Sequence, residues 1–176
     1  LRWTAFFGNG YGQDATGLFM LDINGLVTDN PDTGNNGNVK FIELDNTGGM
    51  SSVAVLDLDG DGVADRVYGG DQEGNLWVVE ESNNGTWDSP HKQGQTAEPL
   101  FTATDSSGDS QPITAAPRVT IHPTMSDAGN EPNLLVVFGT GSYLYENDPG
   151  DDQVQSVYAI WDKGVQVGGD RESSLV

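Results

Sequence analysis

Cysteine is absent from all 176 residues, so the chain has no disulfide, no thiolate nucleophile and no cysteine metal site. Basic residues are nearly as scarce: 7 Lys+Arg stand against 27 Asp+Glu, a formal charge of -20. A nucleic acid or an anionic membrane surface would be repelled where it needs cationic neutralisation, and both are excluded as partners. The balance suits metal cations, basic partners and a strongly hydrated surface, and a halophilic origin would produce it as well. No run is long and apolar enough to span a bilayer, and no signal peptide is recognisable. Sustained helical periodicity is also missing, because 24 glycines and many asparagines interrupt the chain too often for long helices. The chain opens at Leu1 with a strand-like segment and no Met, which reads as a fragment or a processed product.

What is present is a repeated pair of short strands. An apolar run ending in a glycine pair or near-pair occurs three times: Ala5-Phe6-Phe7-Gly8-Asn9-Gly10, Arg66-Val67-Tyr68-Gly69-Gly70-Asp71 and Val136-Val137-Phe138-Gly139-Thr140-Gly141. Each is followed by a second apolar run ending in an acid: Leu18 to Asp22, Leu76 to Glu80, and Val157 to Asp162. The pairs recur at roughly 60 to 80 residues, about one four-stranded propeller blade with long loops. The middle unit contains Ser52–Leu58, Asp65–Asp71, Asn75–Glu81 and Pro99–Thr104. The third contains Pro117–His122, Leu134–Gly139 and Gln155–Trp161, and the first Trp3–Gly8, Gly17–Ile23 and Val39–Leu44. The expected fold is all-β: a partial, open propeller with one complete blade flanked by two incomplete ones, over residues 1–48, 49–115 and 116–176. A β-sandwich is the competing architecture, since short strands and turns suit both; the repeated glycine-then-strand unit favours the propeller. Two or three blades cannot close a ring, so further chain or a partner should cover the sheet edges.

The strongest local signal is Asp57-Leu58-Asp59-Gly60-Asp61-Gly62-Val63-Ala64-Asp65. Calcium takes six to eight hard oxygen ligands, and carboxylates at positions 1, 3 and 5 of such a loop converge on one centre. Asp57, Asp59 and Asp61 hold those positions. Gly62 at position 6 permits the sharp turn, Val63 at position 7 offers its carbonyl, and Asp65 at position 9 closes the site directly or through water. Position 12 is Tyr68 instead of a bidentate Glu, and the flanks are strand-like, so this is a strand–loop–strand turn and not an EF-hand. Carboxylates crowded into nine residues repel one another, which a cation relieves; an open, solvated Asp/Gly turn is the bland alternative. Magnesium fits less well, because it keeps more of its own water.

Other features carry less. Gly8-Asn9-Gly10-Tyr11-Gly12 lacks the helix that a nucleotide-binding loop needs and reads as a tight inter-strand turn. His91 and His122 have no ligand spacing and read as surface residues. Trp3, Trp77, Trp87 and Trp161 read as core or blade packing, with a carbohydrate platform as the alternative. No catalytic constellation is present, and a non-enzymatic protein is expected.

The run Gly49 to Trp77, centred on the aspartate loop, resembles the C-terminal β-propeller of the PilY/PilC type IV pilus proteins. Phe7-Gly8-Asn9-Gly10-Tyr11, Leu100 to Asp105, Gln111 to Pro117, Phe138 to Leu144 and Val157 to Asp162 match in family order. The resemblance implies an extracellular protein at the cell surface or pilus tip, associated with the outer membrane, that assists pilus assembly and adhesion. It implies calcium ligands at Asp57, Asp59, Asp61, Val63 and Asp65, with the ion influencing pilus extension against retraction. It implies as partners pilus subunits (pilins or minor pilins) and the remainder of the protein's own propeller. An integrin-like FG-GAP module is the second reading; such modules repeat the aspartate loop, which occurs once here. A quinoprotein dehydrogenase fragment is the third.

Overall fold

A computed structural model describes residues 3–23, 39–82, 85–123 and 131–167. The described residues form strands and loops, with a 3-10 turn at Asp148–Gly150. In chain order the main strands are β1 (Thr4–Gly8), β2 (Thr16–Asp22), β3 (Val39–Asp45), β4 (Met50–Leu56), β5 (Arg66–Asp71) and β6 (Asn75–Glu81). Short strands β7 (Trp87–Asp88), β8 (Lys92–Gln93), β9 (Thr96–Ala97) and β10 (Phe101–Thr102) follow, then β11 (Arg118–Ile121), β12 (Leu134–Gly139) and β13 (Val157–Asp162). Three main antiparallel sheets result, β1-β2-β3, then β10-β6-β5-β4 with β7 also paired to β6, then β11-β12-β13, and β8 and β9 pair as a separate two-stranded ribbon. The sheets do not close into a ring, as expected of an open all-β arrangement.

The central sheet has apolar neighbours on both faces. Strand period 2 sends Val67, Trp77 and Val79 to one side, where they pack with Leu18, Ile42 and Leu44 of the first sheet. It sends Tyr68, Leu76 and Val78 to the other, against Leu134, Val136, Phe138, Tyr158 and Ile160 of the third sheet. Every residue of β5 is buried. Two-sided burial is why Leu76 to Val79 reads as a continuous apolar run and not as an alternation. On the outer face of the first sheet, Phe7, Phe19 and Phe41 form a cross-strand ladder, with ring centroids 5.5 and 4.7 Å apart. Glycine is required at position 17 for that ladder, because a Cβ there would lie 2.4 Å from the Phe41 ring.

The repeat seen in the sequence recurs in the hydrogen bonds. Asn9 N–H donates to Gly17 O at 3.1 Å, and Asn9 Oδ1 accepts from Gly17 N–H at 3.1 Å. Thr140 does the same with Ser156: its N–H donates to Ser156 O at 2.9 Å and its Oγ1 accepts from Ser156 N–H at 2.8 Å. Asn9 Oδ1 also accepts from Met50 N–H at 2.8 Å, and Gly10 N–H donates to Met50 O at 3.0 Å, which fastens the first sheet to the start of β4. The second and third sheets are fastened where Ile113 N–H donates to Asp71 O at 2.8 Å and Ile113 bridges Gly141.

A buried polar cluster joins β5 to β13. Arg66 Nη2 donates to Asp162 Oδ2 at 2.8 Å, and Arg66 Nε donates to Tyr68 Oη at 2.8 Å. Tyr68 Oη donates to the same Asp162 oxygen at 2.6 Å, and Arg66 Nη1 pairs with Glu80. Burial pulls the guanidinium down, but Tyr68, Asp162 and Glu80 outweigh it, so Arg66 stays charged. Burial pushes the Tyr68 hydroxyl up, which keeps it protonated as a donor.

Two sequence expectations are corrected here. His91 and His122 are buried and not at the surface, at 6 and 4% exposure, and His122 lies against Trp161 with centroids 5.1 Å apart. Trp3 is 71% exposed and not in the core. The remaining tryptophans pack as expected: Trp77 Nε1 donates to buried Asp71 at 2.7 Å, Trp161 Nε1 donates to Asn133 at 3.0 Å, and Trp87 lies on Phe6.

Two predictions follow from this packing. Arg66→Ala strands the Asp162 carboxylate in the interior and should cost about 3–5 kcal/mol in urea denaturation. His91 supplies the second. Its folded pKa is depressed, chiefly by burial, with Arg66 also lowering it and Asp162 and Glu80 opposing. Below about pH 6.5 the unfolded chain takes up a proton that the folded protein resists, so stability falls as pH drops from there toward the folded pKa. Urea midpoints measured between pH 7.5 and 5.5 should fall less steeply for His91→Leu than for the parent.

Candidate metal centre

Strand β4 ends at Leu56 and β5 begins at Arg66; the nine residues between them are the aspartate loop. Its ends are drawn together by the strand register, where Leu56 faces Arg66 and Asp65 N–H donates to Leu56 O at 2.8 Å. Gly60 and Gly62 sit at φ +80° and +86°, a region costly for residues with a side chain. No atom crowds either position, so glycine is required by conformation and not by space.

The aspartates organise the loop before any ligand is considered. Asp57 Oδ1 accepts from Gly60 N–H at 2.7 Å and its Oδ2 accepts from Gly62 N–H at 2.8 Å. Asp59 Oδ1 accepts from Asp61 N–H at 3.1 Å, and Asp61 Oδ1 accepts from Val63 N–H at 2.7 Å. The Asp59 and Asp61 bonds, each to the N–H two residues on, are local Asx turns, the reason aspartate suits such bends, while Asp57 reaches across the loop to Gly60 and Gly62. As a result, one carboxylate oxygen from each of Asp57, Asp59 and Asp61 lies within 4.8 Å of the others, in an exposed position. Oxygens on opposite sides of a calcium ion with bonds of about 2.3–2.6 Å lie about 5 Å apart, so the spacing fits that ion. A carboxylate oxygen that accepts one N–H keeps a lone pair for a cation.

Asp65 stands apart from this trio. Its Oδ2 accepts from Leu58 N–H at 2.6 Å, which ties the far end of the loop back to its beginning. The structure therefore brings together three of the residues named from the sequence, with Asp65 bracing them. Val63 is exposed on the same loop.

The other loops singled out in the sequence have structural roles. Gly10 and Gly12, at φ +89° and +65°, shape the turn that Asn9 clamps. The loop after Gly141 is gathered by Asp148, whose Oδ2 accepts from Ser142 Oγ and Leu144 N–H at 2.6 Å and from Tyr145 N–H at 3.1 Å. The Ser142 hydroxyl foremost holds the Asp148 carboxyl below the usual range. Sequence reasoning missed the Arg66 cluster that begins one residue beyond the metal loop. An arginine leading an otherwise apolar strand was its only local signal.

Comparison with known proteins identifies the family and the fold. The family model described as the PilY1 beta-propeller domain matches residues 1–174. A type IV pilus biogenesis factor PilY1 homolog of Xylella fastidiosa is 34% identical over 179 residues, covering 94% of this chain and 11% of the relative. Type IV pilus biogenesis factor PilY1 of Pseudomonas aeruginosa is 34% identical over 182 residues, covering 92% of this chain and 14% of the relative. The crystal structure of the Pseudomonas aeruginosa PilY1 C-terminal domain superposes with a TM-score of 0.71 at 29% identity, over 99% of this chain and 37% of that one. The chain thus spans 11 to 14% of the length of these curated relatives. Matched along nearly its whole length in both sequence and sheet arrangement, the chain belongs to the PilY1 β-propeller domain family.

Proposed function

We propose that this chain is a calcium-binding region of a type IV pilus biogenesis protein, supporting pilus assembly and surface attachment from outside the cell. The observation that carries the metal assignment is the convergence of the Asp57, Asp59 and Asp61 oxygens within 4.8 Å in a solvent-exposed loop. Those three carboxylates, the Val63 carbonyl and Asp65, directly or through water, form the proposed ligand set. An all-oxygen set rich in carboxylate is the chemistry that a hard divalent cation selects. The ion would supply charge neutralisation at the turn.

The protein's own residues account for why that turn matters. Asp65 is followed directly by Arg66, so the loop sets where β5 starts and where its guanidinium meets Asp162. A pinned loop keeps this end of the central sheet in register; a loose one exposes it. The role is non-enzymatic, consistent with relatives named as pilus biogenesis factors. The proposed partners are pilus subunits, pilins or minor pilins, and the remainder of the same propeller. The proposed location is the cell surface or pilus tip, associated with the outer membrane. Among the described residues no helix is long and apolar enough to cross a membrane.

Stability measurements test the ligand set. At about 100 times its Kd, a ligand at one site stabilises by about 2.7 kcal/mol, a rise in Tm of roughly 5–10 °C for a domain of this size. The Asp59→Ala, Asp61→Ala double variant should lose that calcium-dependent rise. A shift as large as the parent's would refute the assignment. In cells, the same variant at normal protein level should make the number of surface pili insensitive to calcium chelation, as counted by electron microscopy.

A further inference from the structure

A second concave feature lies beside the aspartate loop. It is a cleft of about 510 Å³ between the β1–β2 hairpin, the end of β4 and the turn joining β6 to β7. Trp3, Phe6 and Trp87 line it with aromatic surface. Phe6 and Trp87 are already in ring contact at 4.9 Å, and Trp3 stands 71% exposed. Aliphatic surface comes from Met20, Val55 and Val63, the last two about half exposed. Isolated exposed apolar residues need no explanation, but two aliphatic residues and a tryptophan exposed around one concavity do.

The polar chemistry of the cleft is one-sided. Glu81 lines it, and its backbone is fixed because Glu81 N–H donates to Asp65 O at 2.9 Å. No hydrogen bond or ion pair from a described residue reaches its carboxylate. Three carboxylates of the neighbouring loop and the charge of -20 add negative potential around it. Aromatic faces carry a negative quadrupole, so rings, aliphatic wall and carboxylate all favour a cation on an apolar stem. Elsewhere in the chain the same pairing is made by Lys163, whose Nζ lies 4.9 Å from the centroid of the Trp161 ring.

We infer that this cleft receives a lysine or arginine side chain from an apolar segment of a partner protein, its stem against the rings and its cation at Glu81. Charge complementarity identifies the occupant: a purely apolar segment would leave Glu81 partly desolvated without a counter-charge, and an acidic one would be repelled. The cleft shares Val63 with the proposed ligand set but none of its carboxylates, so the arginine preference should persist in the Asp59→Ala, Asp61→Ala variant, and the two assignments can fail separately.

The test is a titration of the protein, by tryptophan fluorescence and calorimetry, with a capped leucine-arginine-leucine peptide and its counterpart carrying norleucine in place of arginine. The arginine peptide should bind saturably and about tenfold more tightly than the norleucine one. Glu81→Gln and Trp3→Ala alter accessible side chains, should keep the parent Tm, and should each remove most of that preference. Absence of saturable binding, equal affinity for the two peptides, or undiminished preference in Glu81→Gln would overturn the inference. Should either variant prove unstable, the peptide pair on the parent protein still decides the question. Displacement of the arginine peptide by a neutral oligosaccharide that binds parent and Glu81→Gln alike would overturn it too, as a sugar platform.

Discussion

The structure depends on a central sheet that is apolar on both faces. Strands β5 and β6 send alternate side chains into two separate cores, one shared with the first sheet and one with the third. Neither outer sheet could bury its inner face without this shared layer, and the middle sheet could not keep its apolar faces in water. Each sheet is therefore stable because of its neighbour, the general logic of repeat architectures. Buried polar groups of this layer pair with one another at the Arg66 cluster and at Asp71, which accepts from Trp77, as low-dielectric surroundings demand.

The long strands were legible because each carries a pattern that local physics imposes. Glu43 and Asp45 alternate with buried Ile42 and Leu44 along β3, whereas Leu134 to Phe138 and Leu76 to Val79 are continuously apolar short runs, the second because both its faces are buried. The aspartate loop was legible for a related reason: Asp at alternate positions makes consecutive Asx turns, and those turns converge the carboxylates. What escaped was non-local. Strands β7, β8 and β9 have two residues each, too few to show a period. Arg66 and Asp162 are 96 residues apart, and nothing near either announces the other. The burial of His91 also arises from chain that folds over it. Trp3 went the other way, because hydrophobicity alone does not say whether a wall will stand opposite a ring.

Family membership narrows the alternatives left open by the sequence. A β-sandwich does not fit three successive sheets that share a central layer, and the match over residues 1–174 identifies the PilY1 propeller rather than an integrin-like or quinoprotein one. The single aspartate loop is then a local device of one blade. Its Asx turns shape the loop in advance, which would lower the entropic cost of the proposed ion binding.

The fastenings between sheets are unequal. The second and third sheets are tied at both ends of β5, by Arg66 to Asp162 at one and by Asp71 through Ile113 at the other. Two fixed points leave only the line of β5 that joins them as an axis, and the apolar core between the sheets opposes turning about it. Among the described residues, the first sheet's hydrogen bonds to the second gather at one end, around Asn9 and Met50 and from Gly12 N–H to Gln72, while its opposite end rests on the Phe6–Trp87 contact and one exposed lysine bond. Directional bonds thus concentrate at one end of this seam, and the rest is held by non-directional packing of Leu18, Ile42 and Leu44 against Val67, Trp77 and Val79. Substitutions in that core should therefore loosen the first sheet while leaving the second and third joined.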